Sequence, residues 1–223
     1  AALAMAEQRA LVGVMAAAIG HDINNFISVL HMVHETLRDT DGTDPTLLDE
    51  AARATHRLAE LSRGLRDAAH PDQSPAQVTD LAQVVEEALG VVRKHPEVRG
   101  CEIGFEATAG VALPLRSALV HQIVWNLVLN AAQVQAGAAT RRVEVRVGSD
   151  EQDGGWIEVH DAGPGLPEPL RNKVLGGLYT TRDGGSGLGL LSVRSCAAAH
   201  GGGLSLGSSP LGGLLARVDL RSA

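Results

Sequence analysis

Residues 156–165 read Trp-Ile-Glu-Val-His-Asp-Ala-Gly-Pro-Gly, and this stretch decides how the second half of the chain folds. Trp156–His160 is predicted to be an apolar strand, and a glycine turn follows it directly. Asp161 stands at the junction, where a carboxylate can accept a hydrogen bond from an amino group of a ligand. Gly163 and Gly165 would let the backbone approach a flat ring closely. Alone, Asp-x-Gly-x-Gly is also common in ordinary tight turns, so both interpretations stay open on this motif.

The sequence on both sides of this stretch alternates between strand and helix patterns. Further strands are expected at Cys101–Ala107, Arg142–Val147, Leu204–Gly207 and Leu214–Leu220. Helices are expected at Leu81–Val92, Ser117–Gln135 and Gly189–His200. Strands interrupted by helices indicate an α/β sandwich, in which one sheet carries helices on one face.

The first third of the chain has a different, purely helical pattern. Apolar residues recur every three or four positions in two runs, separated by the turn-forming residues 39–45. This pattern predicts a helical hairpin. Because two amphipathic helices cannot enclose a core alone, two copies are expected to form a dimeric four-helix bundle. With a linker at His70–Pro75, the predicted domains are 1–74 and 75–223, which makes the fold class α+β.

Composition excludes several functions for the 223 residues. The net charge of -7 argues against a nucleic-acid partner, and 2% aromatic residues cannot build a base-stacking platform. No stretch approaches the roughly 20 apolar residues of a membrane span, so no membrane contact by this segment is expected. Two cysteines do not make a disulfide scaffold, which favours a reducing compartment.

The predicted hairpin carries one anomaly. Asp22 occupies a position of the apolar seam, next to His21, and Asn25 lies one turn beyond His21. Ionisable groups held on a bundle surface are candidates for proton or group transfer. The simpler alternative is a polar rung that sets the register of the bundle, with a solvated histidine beside it.

Two more motifs flank the opening stretch. Asn126 and Asn130 lie one turn apart on the predicted helix 117–135, and amide oxygens suit a hard cation such as Mg²⁺. Residues 184–190 read Gly-Gly-Ser-Gly-Leu-Gly-Leu and lead into a helix, where glycine amides can cradle phosphate oxygens. An ordinary amphipathic helix and a flexible linker are the alternatives.

The order and spacing of these motifs resemble the core of a sensor histidine kinase. Residues 21–25 resemble its H box, 126–131 its N box, 161–165 its G1 box, 178–182 its F box and 185–190 its G2 box. The resemblance implies a dimerisation and phosphotransfer hairpin followed by a Bergerat-type ATP-binding domain. It further implies ATP and Mg²⁺ as cofactors and a homodimer. The partner would be a response-regulator receiver domain, and the segment would face the cytoplasm in a parent protein that can be membrane-anchored.

The resemblance also implies a role for each matching residue. His21 would accept the phosphoryl group, Asp22 would take or orient a ring proton, and Asn25 matches the position that can orient water for dephosphorylating the partner. Asn130 would ligate Mg²⁺, and Asn126 would lie near the phosphates. Asp161 would hold the adenine amino group. The remaining nucleotide-binding residues would be Gly163, Gly165, Thr181, Arg182, Gly185, Gly187, Leu188 and Gly189.

Departures from the family pattern keep two alternatives in view. Phe26 stands where a proline usually follows the H-box asparagine, and Leu178 replaces the F-box phenylalanine. These changes favour a degenerate kinase that acts as a nucleotide-responsive dimeric scaffold. The other alternative is a gyrase- or chaperone-like ATPase, although such enzymes lack the hairpin and commonly carry a glutamate where Asn126 stands.

Overall fold

From residue 75 onward the chain alternates short strands with helices, as the sequence pattern predicts. The computed structural model describes residues 75–108, 110–150, 154–176 and 188–221. The predicted hairpin, with His21, Asp22 and Asn25, lies outside the described residues. The strands are β1 (Gln77–Asp80), β2 (Glu102–Ala107), β3 (Ala112–Leu115), β4 (Arg142–Ser149), β5 (Gly155–Asp161), β6 (Gly203–Ser208) and β7 (Leu214–Leu220). The helices are α1 (Leu81–Val92), α2 (Ser117–Gln133), α3 (Glu168–Gly176) and α4 (Leu188–Ala198).

Five of the strands form one mixed sheet in the order β2-β4-β5-β7-β6. β2 runs parallel to β4, and the other neighbours are antiparallel. All five predicted strands and all three predicted helices are confirmed, with ends that differ by up to two residues. The expectation of one sheet was incomplete, because β1 and β3 pair as a separate antiparallel ribbon. Helix α3 was also not predicted, since its apolar periodicity is weak.

The core lies between one face of the sheet and the helices α1, α2 and α4. Alternate residues of β4 point into it, and Val143 and Val145 are fully buried. Helix α2 contributes a continuous apolar stripe that includes Ile123 and Val128, both fully buried. Each such side chain stabilises the fold by about 1.5–3 kcal/mol relative to an exposed one. The packing holds α2 and α4 side by side, which matters for the site.

The ends of α2 and α4 are joined by His200. Its Nε2 accepts a hydrogen bond of 3.0 Å from the backbone N–H of Arg116, at the start of α2. Its Nδ1 donates to Cys196 O at 2.9 Å, near the end of α4. This geometry requires a neutral imidazole with its proton on Nδ1. A membrane-spanning helix is absent from the described ranges.

Candidate functional site

Asp161 is the last residue of β5, and its carboxylate is buried at the edge of the helical layer. Only 5% of the residue is exposed. Oδ1 accepts hydrogen bonds from the backbone N–H groups of Gly163, at 2.8 Å, and Leu214, at 3.1 Å. Both bonds go to the same oxygen, so Oδ2 receives none from the described residues. The carboxylate is therefore held rigidly, with one oxygen left to accept a hydrogen bond from a ligand.

The surroundings of Asp161 shift its pKa. Burial raises the pKa of the carboxyl group, because the charged form loses hydration. The two backbone N–H groups and the nearby His160 act in the opposite direction and are outweighed. An ionised carboxylate that is poorly solvated gains strongly from a new hydrogen-bond donor. This is the property expected of a group that recognises an amino group of a ligand.

Glycines surround Asp161 because side chains would not fit there. A Cβ on Gly163 would lie 2.9 Å from Asp161 Oδ1 and 2.9 Å from Val134 Cγ2. A Cβ on Gly213 would lie 2.0 Å from Asp161 Oδ1. Gly165 has a φ of 69°, a conformation that residues with a Cβ rarely adopt. The backbone of two loops thus closes around one carboxylate.

The second part of the site lies where α2 passes the first turn of α4. A Cβ added at Gly189 would lie 3.2 Å from Asn130 Nδ2, 3.7 Å from Asn130 Oδ1 and 3.8 Å from Asn126 Oδ1. The side-chain amides of Asn126 and Asn130 therefore lie together beside the start of a helix. The first N–H groups of a helix have no partner within it and attract anions. Oxygen donors next to such amides suit a divalent cation that is shared with phosphate groups.

Helix α2 connects the two parts of the site. Asn126, Asn130 and Val134 follow one another at intervals of four residues, so they lie along one face. Val134 lies beside Gly163, and Asn126 lies about 12 Å away along the helix axis. Such a row suits an elongated ligand that has a ring at one end and phosphates at the other.

The structure accordingly brings together six of the predicted nucleotide-binding residues. Asp161, Gly163 and Gly165 form one part, and Asn126, Asn130 and Gly189 form the other. Leu188 begins α4 beside Gly189. Thr181, Arg182, Gly185 and Gly187 lie outside the described residues, so their places in the site remain predictions.

Several residues of the site escaped the sequence reasoning. Gly213 and Leu214 hold Asp161 through backbone contacts, and a backbone donor leaves no side-chain signal. Ser192 is buried at 3% exposure and contacts Asn126 from α4. The available signal for Ser192 was a polar residue between the apolar residues Leu191 and Val193.

The donor atoms at the second part of the site suit one kind of metal ion. Three or more His, Cys, Asp or Glu side chains do not cluster anywhere in the described ranges, so a transition-metal site is absent there. The oxygens of Asn126 and Asn130 are hard donors, which fit Mg²⁺ that keeps most of its waters and binds phosphate oxygens. The residues present therefore fit a magnesium–nucleotide ligand better than a metal cofactor held by the protein alone.

Comparison with known proteins agrees with this geometry. Residues 116–223 match the family described as histidine kinase-, DNA gyrase B-, and HSP90-like ATPase. The sensor protein FixL of Bradyrhizobium diazoefficiens is 28% identical over 220 residues, covering 95% of this chain and 44% of FixL. The nitrogen regulation protein NtrY of Azorhizobium caulinodans is 30% identical over 224 residues, covering 92% of this chain and 28% of NtrY. The chain thus spans less than half the length of these two relatives.

A solved structure shows the same fold. The histidine kinase ThkA, crystallised in complex with the response regulator protein TrrA, superposes with a TM-score of 0.79. The match covers 97% of this chain and 64% of ThkA at 18% identity. At 18% identity, this likeness is evidence of a shared fold alone.

Proposed function

Because residues 116–223 belong to the family of histidine kinase-, DNA gyrase B- and HSP90-like ATPases and the chain is homologous to sensor histidine kinases, we propose that it is an ATP-dependent protein-histidine kinase. It phosphorylates its own His21 and then passes the phosphoryl group to an aspartate of a response-regulator receiver domain. Asn25 can orient water for the reverse task of dephosphorylating that partner.

One observation supports nucleotide binding above all others. One face of α2 leads from Val134, which lies against Gly163 beside the rigid buried carboxylate of Asp161, to the amide side chains of Asn130 and Asn126. Asp161 Oδ2 accepts a hydrogen bond from the adenine amino group, and Gly163 and Gly165 leave space for the ring. Thr181, Arg182, Gly185 and Gly187 complete the phosphate-binding side in this proposal.

The opposite end holds the metal and the phosphates. Asn130 would ligate Mg²⁺, and Asn126 would lie beside it, near the phosphates and the first N–H groups of α4. When bound, the magnesium ion neutralises charge that develops on the phosphate oxygens. The contribution of the protein is positioning, which supplies most of the catalysis in phosphoryl transfer.

The acceptor chemistry takes place on the predicted hairpin. A neutral imidazole nitrogen of His21 carries a lone pair, which forms a bond to the γ-phosphorus of ATP. The bond from that phosphorus to the β–γ bridging oxygen breaks, and ADP leaves. Asp22 orients or takes the proton on the other ring nitrogen, so that the attacking nitrogen stays unprotonated. In the next step the phosphoryl group moves from His21 to a carboxylate oxygen of the partner.

Two partners follow from this proposal. The hairpin of one chain packs against that of a second copy, because each hairpin alone leaves its apolar seam exposed. The receiver domain would dock near His21, as ThkA is described in complex with a response regulator protein.

The proposal is tested by incubating the purified chain with γ-labelled Mg-ATP. We expect acid-labile label on the wild-type chain and none on His21→Gln. His31→Gln is the matched control, since it makes the same change ten residues along the same predicted helix and should retain the label. Label that persists on His21→Gln would contradict the assignment of the acceptor.

The second candidate, a nucleotide-responsive dimeric scaffold, is favoured by Phe26 and Leu178. It predicts intact nucleotide binding without label on any histidine. If the wild-type chain acquires no label, the double variant Phe26→Pro and Leu178→Phe restores the residues usual for the family. Recovery of label in that double variant would identify a degenerate kinase, and absence of nucleotide binding would contradict both candidates.

A further inference from the structure

A row of polar side chains, buried on its α4 side, crosses the interface between α2 and α4. Ser192 Oγ accepts a hydrogen bond from Gln122 Nε2 at 2.7 Å and another from Asn126 Nδ2 at 3.3 Å. The Cys196 thiol donates to Gln122 Oε1 at 3.4 Å. We call these four residues (Cys196, Gln122, Ser192 and Asn126) the polar row. Ser192 and Cys196 are each 3% exposed, so the row is shielded from water along α4.

The polar row follows from helical spacing. Gln122 and Asn126 are one turn apart on α2, and Ser192 and Cys196 are one turn apart on α4. The four side chains therefore interleave between the two helices. Their neighbours, such as Ile123 on α2 and Val193 on α4, are fully buried and apolar.

Stability alone does not account for the polar row. A buried hydrogen bond contributes only about 1 kcal/mol net, and replacing both partners by apolar groups of the same shape can be neutral or stabilising. The surrounding interface already consists of such apolar residues. The function of the polar row is therefore expected at its end, where Asn126 meets the candidate metal–phosphate site.

An amide has a donor end and an acceptor end, and in this structure the donor end of Asn126 faces the polar row. Asn126 Nδ2 donates to Ser192 Oγ, while Asn126 Oδ1 lies 3.8 Å from the position that a Cβ on Gly189 would take, beside the Asn130 amide. The reverse orientation would present N–H groups beside Asn130 and would repel a cation. Gln122 Nε2 and Asn126 Nδ2 both donate to Ser192 Oγ, whose two lone pairs accept them, so Gln122 helps to hold the serine hydroxyl in place.

We propose that Ser192 and Gln122 are positioning residues of the nucleotide site, which hold the Asn126 carbonyl oxygen toward the metal–phosphate end. This inference rests on the proposed binding of Mg-ATP. Neither residue contacts the ligand. Each acts through Asn126, in the way that outer hydrogen bonds orient metal ligands elsewhere and change metal affinity about 10- to 100-fold.

The test measures binding of a fluorescent ATP analogue to the full chain, once in EDTA and once over a titration of Mg²⁺. We expect Ser192→Ala to bind the analogue as wild type does in EDTA, because Asp161 is untouched. We expect its Mg²⁺-dependent gain in affinity to fall about tenfold. Ser195→Ala is the matched control, because it removes a hydroxyl from the same helix outside the polar row.

A double-mutant cycle separates positioning from general packing. If Ser192 acts through Asn126, Ser192→Ala should cause no further loss in a chain that already carries Asn126→Ala. Ser192→Thr retains the hydroxyl and should stay close to wild type. Gln122→Leu provides a second variant of the row, so the test does not depend on one substitution folding correctly.

Each result has one meaning. If Ser192→Ala matches Ser195→Ala in Mg²⁺ dependence, or if its effect adds to that of Asn126→Ala, the positioning role is wrong while nucleotide binding stands. If wild type shows no Mg²⁺-dependent binding at all, the proposed function fails and this inference fails with it.

Discussion

The two ends of the candidate site are built in opposite ways. At the Asp161 end, backbone groups and glycines from the loop after β5 and from the start of β7 with the loop before it enclose one side chain. At the asparagine end, two side-chain amides of α2 lie beside the first turn of α4, and the polar row hydrogen-bonds to one of them, Asn126. A rigid backbone pocket suits a ligand group of fixed shape, such as an aromatic ring. Side chains that a hydrogen-bond network orients suit a cation, whose coordination depends on which atom faces it.

The largest effect is expected from Gly213→Ala at the Asp161 end. The new Cβ would lie 2.0 Å from Asp161 Oδ1 and 2.5 Å from Asp161 O, so the carboxylate and its strand end must move. Overpacking of this kind costs about 1–3 kcal/mol of stability, and nucleotide affinity should fall below detection. Thermal unfolding measures the loss of stability, and binding of the fluorescent ATP analogue measures the loss of affinity. Gly203→Ala is the control, since its Cβ would meet nothing within 4 Å. Wild-type affinity in Gly213→Ala would show that Asp161 needs no fixed position.

Asp161→Asn tests the same end without a steric clash. Loss of the charged acceptor should weaken nucleotide binding by about 1.5–3 kcal/mol, which is roughly 10- to 150-fold in affinity. Stability should change in the opposite direction. Because the pKa of Asp161 is raised, its ionised form destabilises the fold once the pH exceeds that pKa. The variant should therefore unfold at a higher temperature than wild type at neutral pH.

This advantage of Asp161→Asn should shrink as the pH falls, because wild type then protonates Asp161 as well. Unfolding temperatures of the two chains, compared from neutral to acidic pH, give the measurement. A constant difference across that range would mean that the charge of Asp161 is not the cause.

Gly189→Ala probes the asparagine end. The methyl group would lie 3.2 Å from Asn130 Nδ2 and 3.8 Å from Asn126 Oδ1, so it would crowd the two side-chain amides. We expect a loss of Mg²⁺-dependent affinity of about tenfold, with binding in EDTA unchanged. Stability should change by less than about 1 kcal/mol, since alanine is the better helix former. Gly90→Ala is the matched control, because it makes the same change in α1 with no neighbour within 4 Å. An equal loss in EDTA would contradict the separation of the two ends.

The strength of the side-chain pattern in each element decides what the sequence could and could not predict. The five strands of the main sheet and the helices α1, α2 and α4 are confirmed because their apolar periodicity reports directly on burial. The pairing of β1 with β3 escaped prediction because four-residue strands carry little periodicity. Helix α3 escaped because it packs few apolar residues, and Val174 is the only one that is nearly buried among its described side chains.

The residues of the site divide in the same way, into those that a side-chain motif reveals and those that it does not. Asp161, Asn126 and Asn130 could be proposed from the sequence, because their side chains carry the chemistry and the motif spacing places them. Leu214 could not, since it contributes a backbone N–H that any residue would provide. Ser192 is intermediate. Its polarity was visible, but its role depends on which face of α4 meets α2, and only packing decides that.

The smallest effect is expected from His200, which links the helices of the asparagine end and not the loops around Asp161. Burial lowers the pKa of His200 below its usual 6.5, an effect that the hydrogen bond to Cys196 O opposes and that Arg116 reinforces. A histidine whose folded pKa is lowered stabilises the fold above its unfolded pKa, and that contribution is lost as the pH falls. His200→Gln should therefore lower stability by about 1 kcal/mol at mildly alkaline pH, where a buried hydrogen bond is lost. The difference in stability between this variant and wild type should narrow below about pH 6.5.

If His200 links only the two helices, Mg²⁺-dependent nucleotide binding of His200→Gln should weaken slightly while its binding in EDTA stays constant. A variant that loses both kinds of binding equally would show that the two ends of the site share one rigid frame.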